Sequence, residues 1–213
     1  ERPLPSGSIN VYSAIIFSIS TLFLSFYCAS QCGKKTIAVW IALTGIVFLY
    51  NFFSKRGGIF PGPISLAFCR VLNIILGISA AGGFIFNPDL FKAVLLTSFI
   101  YTYGVSFAAV SELEPSKRRL FFSGTIIIAA VFFWIISAFN AVEPIISKLG
   151  EIPPLIKSAF FYWAFMAICS IWVVCKWFFM RNSQKISSDI GFLIRNLIFF
   201  QASACAFSGF KYN

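Results

Sequence analysis

The sequence predicts an all-α fold, a polytopic membrane helical bundle of about seven transmembrane helices, and three observations predict it. Hydrophobic residues fill 59% of the 213 positions while charged residues fill 11%, against about a quarter charged in an ordinary soluble domain. The mean hydropathy is +0.86. Apolar runs of about twenty residues, the length that crosses a bilayer's hydrocarbon core, recur along the whole chain between short polar loops.

The runs follow one another as 9–29, 36–53, 64–86, 90–111, 120–139, 154–178 and 189–210. The first opens at the end of ERPLPSGSIN, a basic turn-forming stretch, and is too long and too poor in cleavage signals for a secretory signal peptide. The second ends in LYNFFSKR and the third begins at GPISLAF. The fourth leads into SELEPSKRRL, and the fifth starts beyond it. After the fifth run, EPIISKLGEIPP has too few apolar positions to span, so it is expected as a short helix or loop lying at the interface. CKWFFMRNSQKISSD separates the last two runs. No repeat and no soluble segment interrupts the series, so residues 1–213 read as a single membrane-embedded domain.

The loops alternate between two sides. One carries nine cations: Arg2, Lys55, Arg56, Lys117, Arg118, Arg119, Lys176, Arg181 and Lys185. The other carries six, all lysines: Lys34, Lys35, Lys92, Lys148, Lys157 and Lys211. The positive-inside bias puts the Arg2 side in the cytoplasm of a multi-pass protein, which in a bacterium means the inner, or plasma, membrane. It also accounts for the net charge of +10, and no nucleic-acid partner is expected. The chain contains no histidine, which removes histidine ligands and any serine–histidine catalysis. Its six cysteines form no CxxC pair and no metal-ligand spacing, and read as free thiols.

Two arginines fall inside apolar runs, Arg70 and Arg195. An arginine facing lipid at mid-bilayer costs at least ~2.5 kcal/mol, so each turns inward or snorkels. Arg70, Asn73 and Gly77 share one helical face, a spacing suited to a polar cavity around an oxyanion. Arg195 and Asn196 are adjacent, so only one points into such a cavity; Arg195 is the expected one, with Gln201 deeper in the helix. Tyr50, Asn51, Lys55, Arg56 and the cations of SELEPSKRRL add donors on the same side. Phosphate or diphosphate suits this density of arginine and lysine, and carboxylates at Glu112 and Glu114 would allow a bridging divalent ion.

RPLPSG, here Arg2 to Gly7, resembles the segment that follows the first aspartate-rich motif of UbiA-type membrane prenyltransferases. Three further stretches match in order. Tyr50 to Arg56 resembles the aromatic-plus-lysine end of a family helix. Gly62, Pro63, Cys69, Arg70, Leu72, Asn73 and Gly77 resemble a stretch of the EboC-like branch. SELEPSKRR stands where the second aspartate-rich motif belongs. The family fold has nine helices, and the seven here resemble helices 3–9. The resemblance therefore implies that two helices and the first acidic motif precede Glu1. The second motif is degenerate, since its two aspartate places fall on Glu112 and Ser116.

The resemblance implies transfer of a prenyl group from an isoprenoid diphosphate to an aromatic or other lipophilic acceptor. On this reading Arg2, Lys55, Arg56, Arg70 and Lys117 take the diphosphate, Tyr50 and Asn73, with Arg195 from its place in an apolar run, line the substrate pocket, and Glu112 with Glu114 take Mg2+. Membrane lipid is the expected surrounding partner. With half its metal site missing, the 213-residue chain is itself expected to be inactive. The alternative is a non-catalytic isoprenoid-binding, lipid-binding or transport-associated membrane protein.

Overall fold

A computed structural model describes residues 10–54, 61–82, 88–112, 116–149, 154–179 and 186–208. They form seven α-helices: α1 Val11–Gln31, α2 Lys34–Leu49, α3 Pro61–Ala80, α4 Pro88–Ala109, α5 Lys117–Leu149, α6 Pro154–Phe179 and α7 Ile186–Ser208. A π-helical turn, Tyr50–Ser54, extends α2, and a 3₁₀ turn, Val110–Glu112, extends α4. Six helices are long and apolar enough to cross a membrane, namely α1 to α6. The chain is thus an all-α, multi-pass membrane protein, as its composition predicts.

Local chemistry sets the helix starts. Asn10 caps α1 by accepting the Tyr12 N–H at 3.0 Å. Pro61, Pro88 and Pro154 open α3, α4 and α6, at the position where a missing N–H costs nothing. Gly33, at a φ of 107°, makes the turn from α1 to α2. Helix α5 differs from expectation by continuing through 142–149 instead of yielding to a separate interfacial segment. In the sequence, apolar residues continue at 142, 145, 146 and 149, a helical spacing that favours continuation of the helix. At 1.5 Å per residue α5 reaches about 50 Å, well past a hydrocarbon core of about 30 Å.

Two compact units appear, Glu1–Gly45 with Leu72–Phe84 and Ile46–Val71 with Ile85–Asn213. In the first, the indole of Trp40 on α2 donates to Ser25 Oγ on α1 at 3.0 Å and packs against Phe26. Only Ala29 of α1 is buried, so nearly all of this helix presents apolar side chains outward.

The second unit is built on a four-helix ring in which α4 packs on α5, α5 on α6, α6 on α7 and α7 on α4. Tyr101, Ile127, Trp134, Met166, Val173, Leu193 and Phe200 fill its core. Phe68, in the first half of α3, meets Phe99 of α4 edge-on at 5.0 Å. Glycines permit the closest approaches. A Cβ at Gly104 would lie 2.9 Å from Ile127 on α5, and one at Gly124 would lie 2.6 Å from Val174 on α6. Without a hydrophobic drive between helices in lipid, such close backbone contact is a main source of association.

Candidate functional site

The inward face of α7 reads Ile186, Asp189, Ile190, Leu193, Asn196, Leu197, Phe200, Ser203 and Ala204, all buried. Its three polar members, Asp189, Asn196 and Ser203, recur every seven residues, and each finds partners across the ring. Ser203 accepts the Trp134 indole N–H at 3.2 Å and donates to the Ala159 carbonyl at 3.0 Å. Asn196 Nδ2 donates to the Met166 carbonyl at 3.0 Å and to Ser170 Oγ at 2.9 Å, with Tyr101 Oη at 3.5 Å. Tyr101 in turn donates to the Leu193 carbonyl at 3.2 Å. Because the Met166 carbonyl only accepts, it fixes which end of the Asn196 amide is nitrogen. Asp189, 4% exposed, accepts from Lys176 Nζ and, at 3.2 Å, from the Trp177 indole.

This arrangement corrects the choice made from sequence between the adjacent polar residues of α7. Asn196 is buried, whereas Arg195 is exposed, its Nε returned to the Gly191 carbonyl at 3.2 Å. Leu193, Asn196, Leu197 and Phe200 define the inner stripe, and Arg195 falls about 100° away from Asn196 on a helix of 3.6 residues per turn. Gln201 is exposed too. The spacing of Asp189, Asn196 and Ser203 is the sequence signal that identifies the buried face.

Beside the Asp189 layer, a pocket of about 300 Å³ opens between the start of α5 and the end of α6. Lys117, Arg118, Leu120, Phe121, Trp177 and Phe178 line it. Ser116, expected from the resemblance to stand in place of a lost carboxylate, is the N-cap of α5: its Oγ accepts the Arg119 N–H at 3.4 Å and its carbonyl the Leu120 N–H at 3.1 Å. The Arg119 guanidinium donates to the Val110 carbonyl at 3.3 Å, tying this end of α5 to the end of α4. Arg118 lies 5.8 Å from the centre of the Phe122 ring, within cation–π range. Asp189 holds the Trp177 indole, and so sets the ring that walls the pocket. Two cations beside an aromatic cleft at a helix N-terminus form an electropositive, partly apolar recess, suited to an anionic group carrying a hydrocarbon tail.

Of the candidate residues from sequence, Lys117 is the one found lining this recess. Tyr50 lies in the turn after α2 and is half-buried; on α3, Arg70 is half-buried and Asn73 is exposed. Arg2, Lys55, Arg56 and Glu114 fall outside the described residues, as does the side chain of Glu112, whose backbone closes the turn after α4. Among the described residues, no group of three or more acidic, cysteine or histidine side chains is placed to hold a metal ion. The described residues therefore do not by themselves assemble a magnesium site.

No protein family, curated protein or solved structure matches this chain.

Proposed function

We propose that this chain is a membrane prenyltransferase-like protein that binds an isoprenoid diphosphate at the Lys117 recess and transfers its prenyl group to an aromatic or other lipophilic acceptor. The observation that carries the reading is the joining of Lys117 and Arg118 to the aromatic wall of Phe121, Trp177 and Phe178. It falls in SELEPSKRR, the stretch that resembles the family's second acidic motif. Lys117 and Arg118 bind the diphosphate and offset its charge, and the phenylalanines receive the start of the prenyl tail. The allylic carbon–oxygen bond breaks with its electron pair passing to diphosphate. The acceptor then bonds to the allylic carbon and loses a proton. A water-poor cleft strengthens the pull of fixed cations on the departing group.

Glu112 and Glu114 are the carboxylates this reading assigns to a magnesium ion, whose chemistry would be to offset charge on the leaving diphosphate. Arg2, Lys55, Arg56 and Arg70 belong to the diphosphate set, and Tyr50 and Asn73 to the substrate pocket, on the strength of the sequence pattern and the resemblance. The cation bias between loops supports a cytoplasmic position for the Lys117 end.

The test is binding of farnesyl and geranylgeranyl diphosphate to the detergent-purified chain, followed by release of diphosphate from a radiolabelled donor. A charge-assisted hydrogen bond contributes about 1.5–3 kcal/mol, so Lys117→Gln with Arg118→Gln is expected to weaken binding by at least tenfold. Added salt should weaken it as well. Binding unaffected by both substitutions would remove the recess from the proposal. Firm binding without turnover across many acceptors, even when an upstream acidic segment is supplied, would leave an isoprenoid-binding protein instead of a transferase.

A further inference from the structure

A second pocket, of about 430 Å³, lies between α4 and α5 at the opposite end of that hairpin. Asp89, Lys92, Leu96, Phe133, Ser137 and Asn140 are among the residues lining it. From Asp89 to Val110 the chain is continuous helix, so at 1.5 Å per residue the two pockets stand about 30 Å apart along the bundle. That is the thickness of the hydrocarbon core. A bilayer that placed the Lys117 recess at one interface would place the Asp89 pocket at the other.

Its lining is graded as an amphiphile is graded. On α4 the polar residues Asp89 and Lys92 come first and Leu96 lies a turn deeper. On α5, which runs the other way, Phe133 lies deep and Ser137 and Asn140 lie toward the mouth. The mouth also holds both signs of charge. Asp89 Oδ1 and Lys92 Nζ are 3.4 Å apart, with side chains 83% and 76% exposed. An exposed pair of this kind adds little to stability, so a ligand bearing both charges can take up the two groups at small cost. A purely anionic or purely cationic headgroup would meet one like charge.

We propose that this pocket binds a zwitterionic phospholipid whose headgroup carries a primary ammonium, of the phosphatidylethanolamine type. Asp89 accepts from the ammonium, Lys92 and Asn140 donate to the phosphate, and an acyl chain runs down past Leu96 and Phe133. A trimethylated ammonium has no N–H to give Asp89, so phosphatidylcholine is bound less well. The site is independent of the prenyl-transfer reading, since it shares no lining residue with the Lys117 recess.

The experiment is native mass spectrometry of the chain purified in dodecyl maltoside and offered equimolar dioleoyl phosphatidylethanolamine, phosphatidylcholine and phosphatidylglycerol. The wild type is expected to retain phosphatidylethanolamine at least about fivefold over either competitor. Asp89→Asn should bring its ratio to phosphatidylcholine close to one, and Lys92→Gln should reduce retention of all three. Circular dichroism on both variants checks that helix content is unchanged, as expected for exposed positions. Free phosphoethanolamine is the control for the source of the headgroup, and should displace the lipid only in large excess. Equal retention of the three lipids, or a wild-type preference surviving in Asp89→Asn, would overturn the proposal. So would displacement by free phosphoethanolamine at lipid-like concentrations.

Discussion

Replacing Lys176 by Met should cost more stability than replacing Asp189 by Asn, although both break the same ion pair. The asymmetry follows from burial. The Asp189 side chain is 5% exposed and that of Lys176 is 30% exposed. Lys176→Met keeps the stem and removes the ammonium, leaving a buried carboxylate with the Trp177 indole as its remaining described donor. Removing one partner of a buried pair costs about 3–5 kcal/mol. Asp189 lies in the first turn of α7, where the helix dipole returns about 1 kcal/mol to an anion. The net loss is therefore about 2–4 kcal/mol. Asp189→Asn keeps an oxygen for Trp177 and leaves an ammonium that can turn toward water or headgroups, so about 1–2 kcal/mol is expected. The double variant, with no stranded charge, should fall below Lys176→Met alone. Unfolding by dodecyl sulfate in mixed micelles with dodecyl maltoside, followed by circular dichroism, measures all three. If Asp189→Asn proves the costlier single change, or the double variant shows the sum of both losses, the buried-pair argument is wrong.

Two further predictions use the same titration. Tyr101→Phe and Asn196→Ala should each destabilise the bundle by about 1 kcal/mol, with a coupling near the ~0.6 kcal/mol typical of hydrogen bonds between membrane helices; strictly additive losses would mean that the pair does not act as one layer. Gly124→Leu should cost about 1–3 kcal/mol by overpacking, because a Cβ there already meets Val174 at 2.6 Å. Gly124→Ala should lose less, since it adds only the Cβ while either residue regains up to about 1 kcal/mol of helix propensity, and a stabilised Gly124→Leu would show that α5 and α6 are not closely packed at this point.

The helices were legible because membrane spans need little more than apolar length; all seven runs correspond to helices, and six of these, α7 excepted, are long and apolar enough to cross a membrane among the described residues. Their ends were less legible. The reading stopped α5 at Phe139 because EPIISKLGEIPP has too few apolar positions to span, yet a helix need not span to continue, and α5 runs on to Leu149. Ser116 illustrates a different limit. Compared with an acidic motif it registers as a missing carboxylate, while its position before a basic, then apolar, helix is an N-cap signal that needs no relative. Lys117 was recognisable as a donor from charge alone. Trp177 was not, because its place in the recess depends on α7 bringing Asp189 to its indole, a contact set by tertiary pairing. Arg195 drew attention by the cost of a charge in an apolar run, but that cost is met equally well by an outward turn.

The polar layers of α7 restrict where chemistry can occur in this chain. A bilayer offers no water to satisfy a displaced polar group, so Asp189, Asn196 and Ser203 fix the register of α7 against its neighbours together. Asp189 engages Trp177 of α6, Asn196 engages α6 and Tyr101 of α4, and Ser203 engages Trp134 of α5 and Ala159 of α6. Sliding α7 by one residue would strand all three, at about 1–3 kcal/mol for each unsatisfied group. A substrate passing along the middle of the ring would have to part the Asn196 layer and incur the same cost. Ligands that reach the bundle from the bilayer face no such barrier at its two ends, where the Lys117 recess and the Asp89 pocket open beside exposed apolar side chains. Asp189, Asn196 and Ser203 thus tie the centre of the α4–α7 ring together, and the Lys117 recess and the Asp89 pocket both lie toward its ends.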